Sequence, residues 1–453
     1  MKNQVITIDI TDLTPEGFGV GRHEGKVVFV SDSAVGDKLE VLILKELKNR
    51  SFAKPLNIIT PSPDRIQSDC SVSKKCGGCA FRHISYESEL KLKKNLVEQA
   101  FARIGGMKIK VNDTVFDSPE SYRNKVQYPF APNKNGGCTF GYYARHSHRI
   151  VEHDACPLQE GIFTEIARFV CQCADKFLIP AYNEETKKGV LRHIVLRKNR
   201  EGDISVCLVV NKKSPFLLQL CEDIPKNFPR VKGVHVNLNK RPDNVIFGEE
   251  TFPVVGEETL RDTLCGKTFE LSPRSFYQVN AVMAEKLYLH GKSLISKRKK
   301  DGIILDLYCG VGTIGLSLAE EGDKLCGVEI IDAAVRNAKV NSKLNGRTTE
   351  NTLFVCGDAS LGVEKCREKF GNPETIIVDP PRKGLDREVI ETVVSAKPKN
   401  ILYISCDPAT LARDCGIFAE KGYFTSEATP FDLFPRTGHV ETVVLLEPTV
   451  SAR

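Results

Sequence analysis

Cys406 ends an apolar run, NILYISC, and precedes Asp407 and Pro408, which open a helix-like segment. A cysteine inside a strand is ordinarily a small hydrophobe. One at a strand end, facing a helix N-terminus, ionises more readily and can act as a nucleophile. Cys309, Cys326 and Cys356 lie near the ends of other apolar runs and compete for that role on spacing alone. A nucleophile of this kind needs proton transfer beside it. His439 and Glu441 open the last apolar run, HVETVVLLE, and either side chain can take a proton. Asp379 ends TIIVD, and Pro380 and Pro381 follow it. The prolines force an extended backbone and withhold two N–H donors, leaving the carboxylate at the strand end for a substrate or cofactor.

A ligand for that crevice is indicated upstream. Asp306 and Tyr308 end IILDLY, and Gly310, Gly312 and Gly315 follow in the turn that opens a helix. Glycines let the backbone approach a ligand, and a helix N-terminus offers free N–H groups. Glu329 ends the next apolar run, about 20 residues on, where an acid can accept from ribose hydroxyls. Asp358 follows the third run, at the place where adenine commonly sits. A dinucleotide and S-adenosylmethionine both fit this pattern.

Cys70, Cys76 and Cys79 stand in C-x5-C-x2-C spacing, and Cys156 lies far downstream in HDACPLQ. Four thiolates can hold zinc or a [4Fe–4S] cluster. A zinc ribbon would show two C-x2-C pairs. Cys171 and Cys173 are a rival pair, but on a helix that spacing points the thiols apart.

The elements that must position these groups fall into three stretches. Residues 1–60 carry short strand-like runs such as VITIDI, KVVFV and KLEVLIL, punctuated by glycine, and read as a small β-barrel of oligonucleotide-binding type. Residues 60–65, TPSPDR, read as the linker that ends it. Residues 61–275 read as an α+β middle domain holding the cysteine cluster, with a helix at YESELKLKKNLVEQAFARIG and another at TEIARFVCQCADKFL. Residues 276–453 alternate apolar strands with helices, the pattern of a doubly wound, Rossmann-like α/β sheet. The basic run at 297–300 reads as a solvated helix end beside it.

The 453 residues comprise 41% hydrophobic and 27% charged residues, enough to bury a core, which excludes a mostly disordered chain. No apolar stretch approaches the roughly 18 residues a membrane helix needs. The start has no apolar block of signal-peptide length. The expectation is a cytoplasmic protein, a monomer, with no membrane partner. Sixteen cysteines in a chain this long argue for reduced thiols and a metal site rather than a disulfide scaffold. The net charge of +6 permits RNA binding without demanding it.

Taken together, LDLYCGVGTIGL, VDPPRKG, YISCDPATLARD and GHVETVVLLE, with SPRSFYQVN upstream, resemble in order and spacing the RNA 5-methyluridine methyltransferases that use S-adenosylmethionine. The resemblance covers nearly the whole chain. It implies that the N-terminal barrel, with GFGVGR and FVSDSAVGD, is a TRAM domain. It implies that Gln278, Tyr308, Glu329 and Asp379, and by a softer carry-over Asp358, contact S-adenosylmethionine. Cys406 would be the nucleophile and Glu441 the base. Cys70, Cys76, Cys79 and Cys156 would hold a [4Fe–4S] cluster, and Arg123, in the YRNK segment, would help position RNA. The partner implied is RNA: ribosomal large-subunit (23S) RNA in the first instance, transfer RNA in the second. A cytosine-5 methyltransferase also uses a cysteine adduct, but that class tends to Pro-Cys or Thr-Cys, whereas this chain has Ser-Cys-Asp-Pro. A non-catalytic RNA-binding protein is the third reading, and the intact Cys406, Asp379 and Glu441 argue against it.

Overall fold

The computed structural model describes residues 2–145, 147–296 and 301–449. The basic run at 297–300 lies outside the described residues.

The N-terminal region is a six-stranded sheet that curls on itself. Its strands, Val5–Asp9, Asp12–Leu13, Gly19–His23, Lys26–Val30, Lys38–Glu46 and Arg50–Thr60, are ordered first, fifth, sixth, fourth, third, second. Alternation puts Ile8, Val28, Val30, Leu39, Val41 and Ile43 inside, each at most 2% exposed. Asp37 ties off the barrel. Its carboxylate accepts from the backbone N–H groups of Ala34 and Ser62 and from Arg65, so the last strand and the linker are fixed to one point.

The middle sheet has the order Glu250–Gly256, Val231–Leu238, Ile204–Val210, Leu191–Lys198, Lys125–Pro132, Cys138–Phe140. The amphipathic helices Gly161–Lys176 and Leu217–Asn227 cover one face, burying Phe163, Ile166, Val170, Leu220 and Ile224 against it.

The C-terminal sheet carries five parallel strands in the order Thr352–Cys356, Lys324–Glu329, Ile303–Leu307, Thr375–Val378, Asn400–Ser405. The antiparallel strands Glu441–Pro448 and Glu427–Phe431 continue it. The order reverses beside Ile303–Leu307, where the crevice of an open α/β sheet lies.

One boundary read from sequence needs correction. Residues 61–275 do not form one middle domain. The helix Tyr86–Arg103 buries Val97, Ala100 and Phe101 in the C-terminal core, and the strand Lys110–Val111 extends that domain's sheet. The helix meets the segment after Cys406 at closest approach: a Cβ on Gly105 would stand 2.9 Å from the Ala412 carbonyl oxygen. The hairpin Leu260–Leu264 and Lys267–Leu271 likewise docks on the C-terminal helix Asp332–Leu344, whose Asn341 and Asn345 side chains accept from Glu270 and Thr268 N–H. An amphipathic helix shows that it must bury a face, but not against which domain.

A buried polar network locks this arrangement. Lys93, fully buried, donates to Glu89 (2.8 Å) and Asp432 (2.7 Å), both fully buried. Tyr86 donates to Asp432 (2.8 Å), and the Arg436 N–H donates to Glu89 (2.7 Å). The helix is thereby tied to the loop that leads into His439 and Glu441. Removing one member of such a network strands the remaining charges in a dry site. Lys93→Met is expected to cost about 3–5 kcal/mol, read as a lowered denaturation midpoint; a midpoint unchanged from the native protein would contradict it.

Candidate active site

Three groups converge at the carboxyl edge of the C-terminal sheet. Ser405 pairs with Thr442 in the antiparallel ladder. Cys406 follows Ser405 directly and Glu441 precedes Thr442, and the Glu441 carboxylate is near enough to act on the Cys406 thiol. Val378 pairs with Tyr403 on the adjoining strand, so Asp379 emerges beside the same edge. Asp407 caps the following helix, Pro408–Glu420, accepting from Ala409 N–H (2.9 Å) and Thr410 N–H (3.0 Å).

Cys406 opens into a cavity of about 820 Å³. The same cavity is lined by Arg382 and His439 of the C-terminal domain, by Arg123 and Arg145 of the middle domain, and by Pro15, Glu16 and Phe18 of the barrel. Arg382 reaches the His439 ring at 2.8 Å. The barrel comes this close because Gly438 has no side chain; a Cβ there would collide with the Pro15 carbonyl oxygen. Neither Arg382 nor the barrel residues were singled out from sequence. Arg382 follows directly on Asp-Pro-Pro and was legible there as a cation at the strand edge. The barrel's contribution had no sequence signal.

The other cysteines weighed as nucleophiles sit differently. Cys309 and Cys326 are packed in the core, and Cys356, exposed, points its thiol to the Ile330 carbonyl (3.5 Å).

The thiol's environment reverses one expectation. A helix N-terminus was expected to favour the thiolate. Instead burial pushes the Cys406 thiol up to about 11, with Glu441, Asp379 and Asp407 adding to the shift and Arg382 opposing it. Asp407 occupies the helix N-terminus itself, so its charge offsets the dipole. Burial, and then Asp379, also push the Glu441 carboxyl upward, and burial pushes Asp379 upward. The site therefore holds its protons tightly.

The ligand crevice lies alongside. Gly310 (φ +55°) and Gly312 (φ +84°) take left-handed backbone, and a Cβ on Gly310 would face open space. Glu329 receives Gly310 N–H (3.2 Å) and Ile331 N–H (2.9 Å), so it stands against the glycine turn. Asp306 accepts from Gly315 N–H (2.8 Å), while its other carboxylate oxygen is buried without a partner among the described residues. Tyr308 stands part-exposed at the strand end with φ +66°. Gln278 is buried, its carbonyl held by Asn124 (3.1 Å). Asp358 is exposed and caps the helix Ala359–Phe370. An acid row, a glycine turn and an unpaired buried carboxylate oxygen suit a cationic, ribose-bearing ligand.

The four cysteines Cys70, Cys76, Cys79 and Cys156 line one enclosed space of about 70 Å³ beneath the cavity. Arg82 and Arg123 face it as well. Burial pushes the Cys79 thiol up to about 11 and raises Cys76 and Cys156. The loop is joined to the catalytic edge directly, because Ala80 N–H donates to the Arg436 carbonyl (2.8 Å). Cys171 is elsewhere, 3.1 Å from Cys138.

Comparison with known proteins adds three findings. A family model described as tRNA (Uracil-5-)-methyltransferase matches residues 85–449, and a TRAM domain model matches residues 1–56. An uncharacterized RNA methyltransferase of Clostridium acetobutylicum is 40% identical, covering 98% of this chain and 97% of its own; one of Halalkalibacterium halodurans is 38% identical over 98% and 97%. Among solved structures, the Pyrococcus abyssi tRNA (uracil-54, C5)-methyltransferase in complex with S-adenosyl-L-homocysteine superposes with a TM-score of 0.77 at 26% identity, covering 97% of this chain and 100% of that one.

Proposed function

Because the chain belongs to the tRNA (uracil-5-)-methyltransferase family, whose members are S-adenosylmethionine-dependent enzymes acting on RNA, we propose that it forms 5-methyluridine in RNA through a covalent Cys406 adduct. The observation that carries this reading is the placement of Cys406 in a cavity lined by all three regions of the chain, with Glu441 and Asp379 near enough to act on its thiol. Carbon 5 of uracil is a poor nucleophile. The Cys406 thiol first gives up its proton to solvent in the open cavity, and addition of the thiolate at carbon 6 pushes the ring electrons to carbon 5, making it enolate-like. S-Adenosylmethionine supplies an electrophilic methyl when bound. Gln278, Tyr308, Glu329, Asp379 and Asp358 would hold it, with Glu329 at the ribose. Glu441 then removes the carbon 5 proton, the carbon 5–carbon 6 double bond re-forms, and the carbon–sulfur bond breaks to release Cys406 as thiolate. A positive charge lodged beside Asp379 would counter the field that raises Cys406 and Glu441. Arg382, Arg123 and Arg145 offer the RNA backbone its counter-charges. The target base must leave its stack, since neither ring face is free inside a helix.

The pH dependence follows with a definite sign. The working form of Glu441 is the carboxylate, and its proton affinity is raised. The raised thiol acts in the same direction. The logarithm of kcat/KM is expected to climb with a slope between about +1 and +2 through the neutral range, roughly pH 6 to 8. A profile already flat from pH 5 would contradict this.

Ribosomal large-subunit RNA is the first substrate proposed, on the association of a cysteine cluster with a TRAM domain. Transfer RNA is the second, favoured by the solved neighbour, whose alignment spans the barrel as well. Incubation with labelled cofactor and each unmodified RNA, followed by mass spectrometry of the nucleosides, tests both. 5-Methyluridine in either RNA supports the chemistry and assigns the substrate. Label in neither overturns the reading.

The four cysteines are proposed to hold a [4Fe–4S] cluster. The buried Arg82 guanidinium acts on the Cys79 thiol and faces the same space, as suits an anionic cluster. Among the described residues no group of three or more His, Cys, Asp or Glu side chains is placed to hold a metal ion, so the proposal rests on the cysteine spacing, the family resemblance and the space the four thiols share. Bound there, the cluster would act as a cross-link between the barrel linker and the middle domain. Iron near four atoms per chain in anaerobically purified protein is expected; zinc in its place would contradict this.

A further inference from the structure

A second pocket, of about 320 Å³, lies on the middle sheet's other face, away from its two helices. The sheet builds it through a bulge. Leu191 pairs with Val210 and His193 with Val209, so Arg192 is an extra residue in the strand. A bulge re-aims side chains, and here Arg192 and His193, neighbours in sequence, both line the pocket. Both are more than nine-tenths buried, and the Arg192 Nε and His193 Nδ1 have no hydrogen-bond partner among the described residues. Arg192 is otherwise rigid, donating to the Asn239 and Arg241 carbonyls (3.1 and 2.6 Å) and lying over the Tyr182 ring at 4.6 Å. Burial holds the His193 imidazole down at about 4, hence neutral, one nitrogen a donor and the other an acceptor. Gln127 also lines the pocket, and no described residue hydrogen-bonds its amide. Tyr143 and His148, their rings 5.3 Å apart, form a wall.

The pocket is not isolated. An open groove of about 730 Å³ shares Tyr142, Tyr143 and His148 with it. That groove shares Gly77, Gly78 and Arg145 with the cavity holding Cys406. One continuous surface therefore runs from the catalytic thiol across the cysteine loop to the second pocket. Gly77 N–H donates to the Tyr143 carbonyl (2.9 Å), which fixes the wall to that loop.

We propose that this pocket receives a second unstacked nucleobase of the RNA substrate, a neighbour of the methylated uridine, stacked against Tyr143 and His148 and read at its edge by His193 and Gln127. The proposal rests on the RNA reading above. The chemistry favours a base over a phosphate: Glu184 stands at the rim, 3.7 Å from Arg192, and repels an anion. Unpaired donors and acceptors beside an aromatic wall are what an extruded base needs. Extruding one uridine also removes a stacking partner from its neighbours, so a place for one of them stabilises the opened RNA.

The test uses full-length protein and both RNAs, transcribed with 4-thiouridine or 6-thioguanosine scattered through them, irradiated on the Cys406→Ala protein and mapped by peptide mass. Crosslinks are expected at two places: the segment beginning at residue 406, and the segment 142–149 or 190–198. Tyr143→Ala and His148→Ala, the second at an exposed position and harmless to folding, are each expected to raise KM for RNA about 10-fold or more. In both, kcat stays within about twofold and binding of S-adenosylhomocysteine is unchanged. Crosslinks at the first place only, with KM unmoved, would overturn the second pocket and leave the methyltransferase reading standing. No crosslink at either place would overturn both.

Discussion

Cys406→Ala protein is expected to lose methyl transfer by about 10⁴-fold or more, while S-adenosylhomocysteine binds as before. The separation follows from the sheet. Cys406 projects at the end of Asn400–Ser405 into the cavity shared by all three regions. The glycine turn and Glu329 belong to strands on the far side of Thr375–Val378. Removing one sulfur from a half-buried site leaves that crevice untouched. Without the sulfur, carbon 5 has no electron source, and no neighbouring thiol substitutes, because Cys309 and Cys326 are locked in the core. Calorimetry of cofactor-product binding beside a label-transfer assay reads both halves. Retained turnover would remove the adduct from the mechanism; lost binding would mean that the residue is structural.

Glu441→Gln is expected to stall the reaction after the adduct forms. Glutamine keeps the shape and cannot take the carbon 5 proton, so turnover falls about 10²–10⁴-fold. Because attack at carbon 6 precedes that step, an RNA–protein adduct is expected to accumulate and survive denaturing electrophoresis. It is expected to vanish in the Cys406→Ala/Glu441→Gln double variant. The substitution also removes the largest electrostatic contribution that raises the Cys406 thiol. Alkylation of Cys406 by iodoacetamide should then proceed faster at a given pH, not slower. Full turnover without an adduct would transfer the role elsewhere, His439 being the neighbouring group that lines the cavity.

The C-terminal sheet was legible because each functional residue sits where an apolar run stops. Asp306, Glu329, Asp379 and Cys406 all end strands, and parallel strands align their ends at one edge. The grouping of Cys70, Cys76, Cys79 and Cys156 read from their spacing agrees with the structure to the extent that all four line one space. What could not be read was set by contacts between distant segments. The helix Tyr86–Arg103 was readable as a helix, yet its partner is a loop more than 300 residues away, through Lys93 and Asp432. The Cys406 thiol is raised rather than lowered first because tertiary packing buries it and then because Glu441 and Asp379, from two other strands, stand near it, while Asp407 already caps the local helix end. The approach of Pro15 to Gly438 depends on how two regions dock, and the bulge at Arg192 on the register between Leu191–Lys198 and Ile204–Val210.

The most direct measurement replaces the proton that Glu441 must remove. RNA containing 5-fluorouridine presents fluorine at carbon 5, which cannot leave as a cation. If Cys406 adds at carbon 6, the methylated adduct has no way to break down. Protein incubated with such RNA and S-adenosylmethionine is expected to yield a covalent complex, and digestion should give a peptide from residues 406–413 carrying a methylated 5-fluorouridine on Cys406. Methyl transfer into ordinary RNA with no trapped complex, or a complex on another residue, would contradict the account.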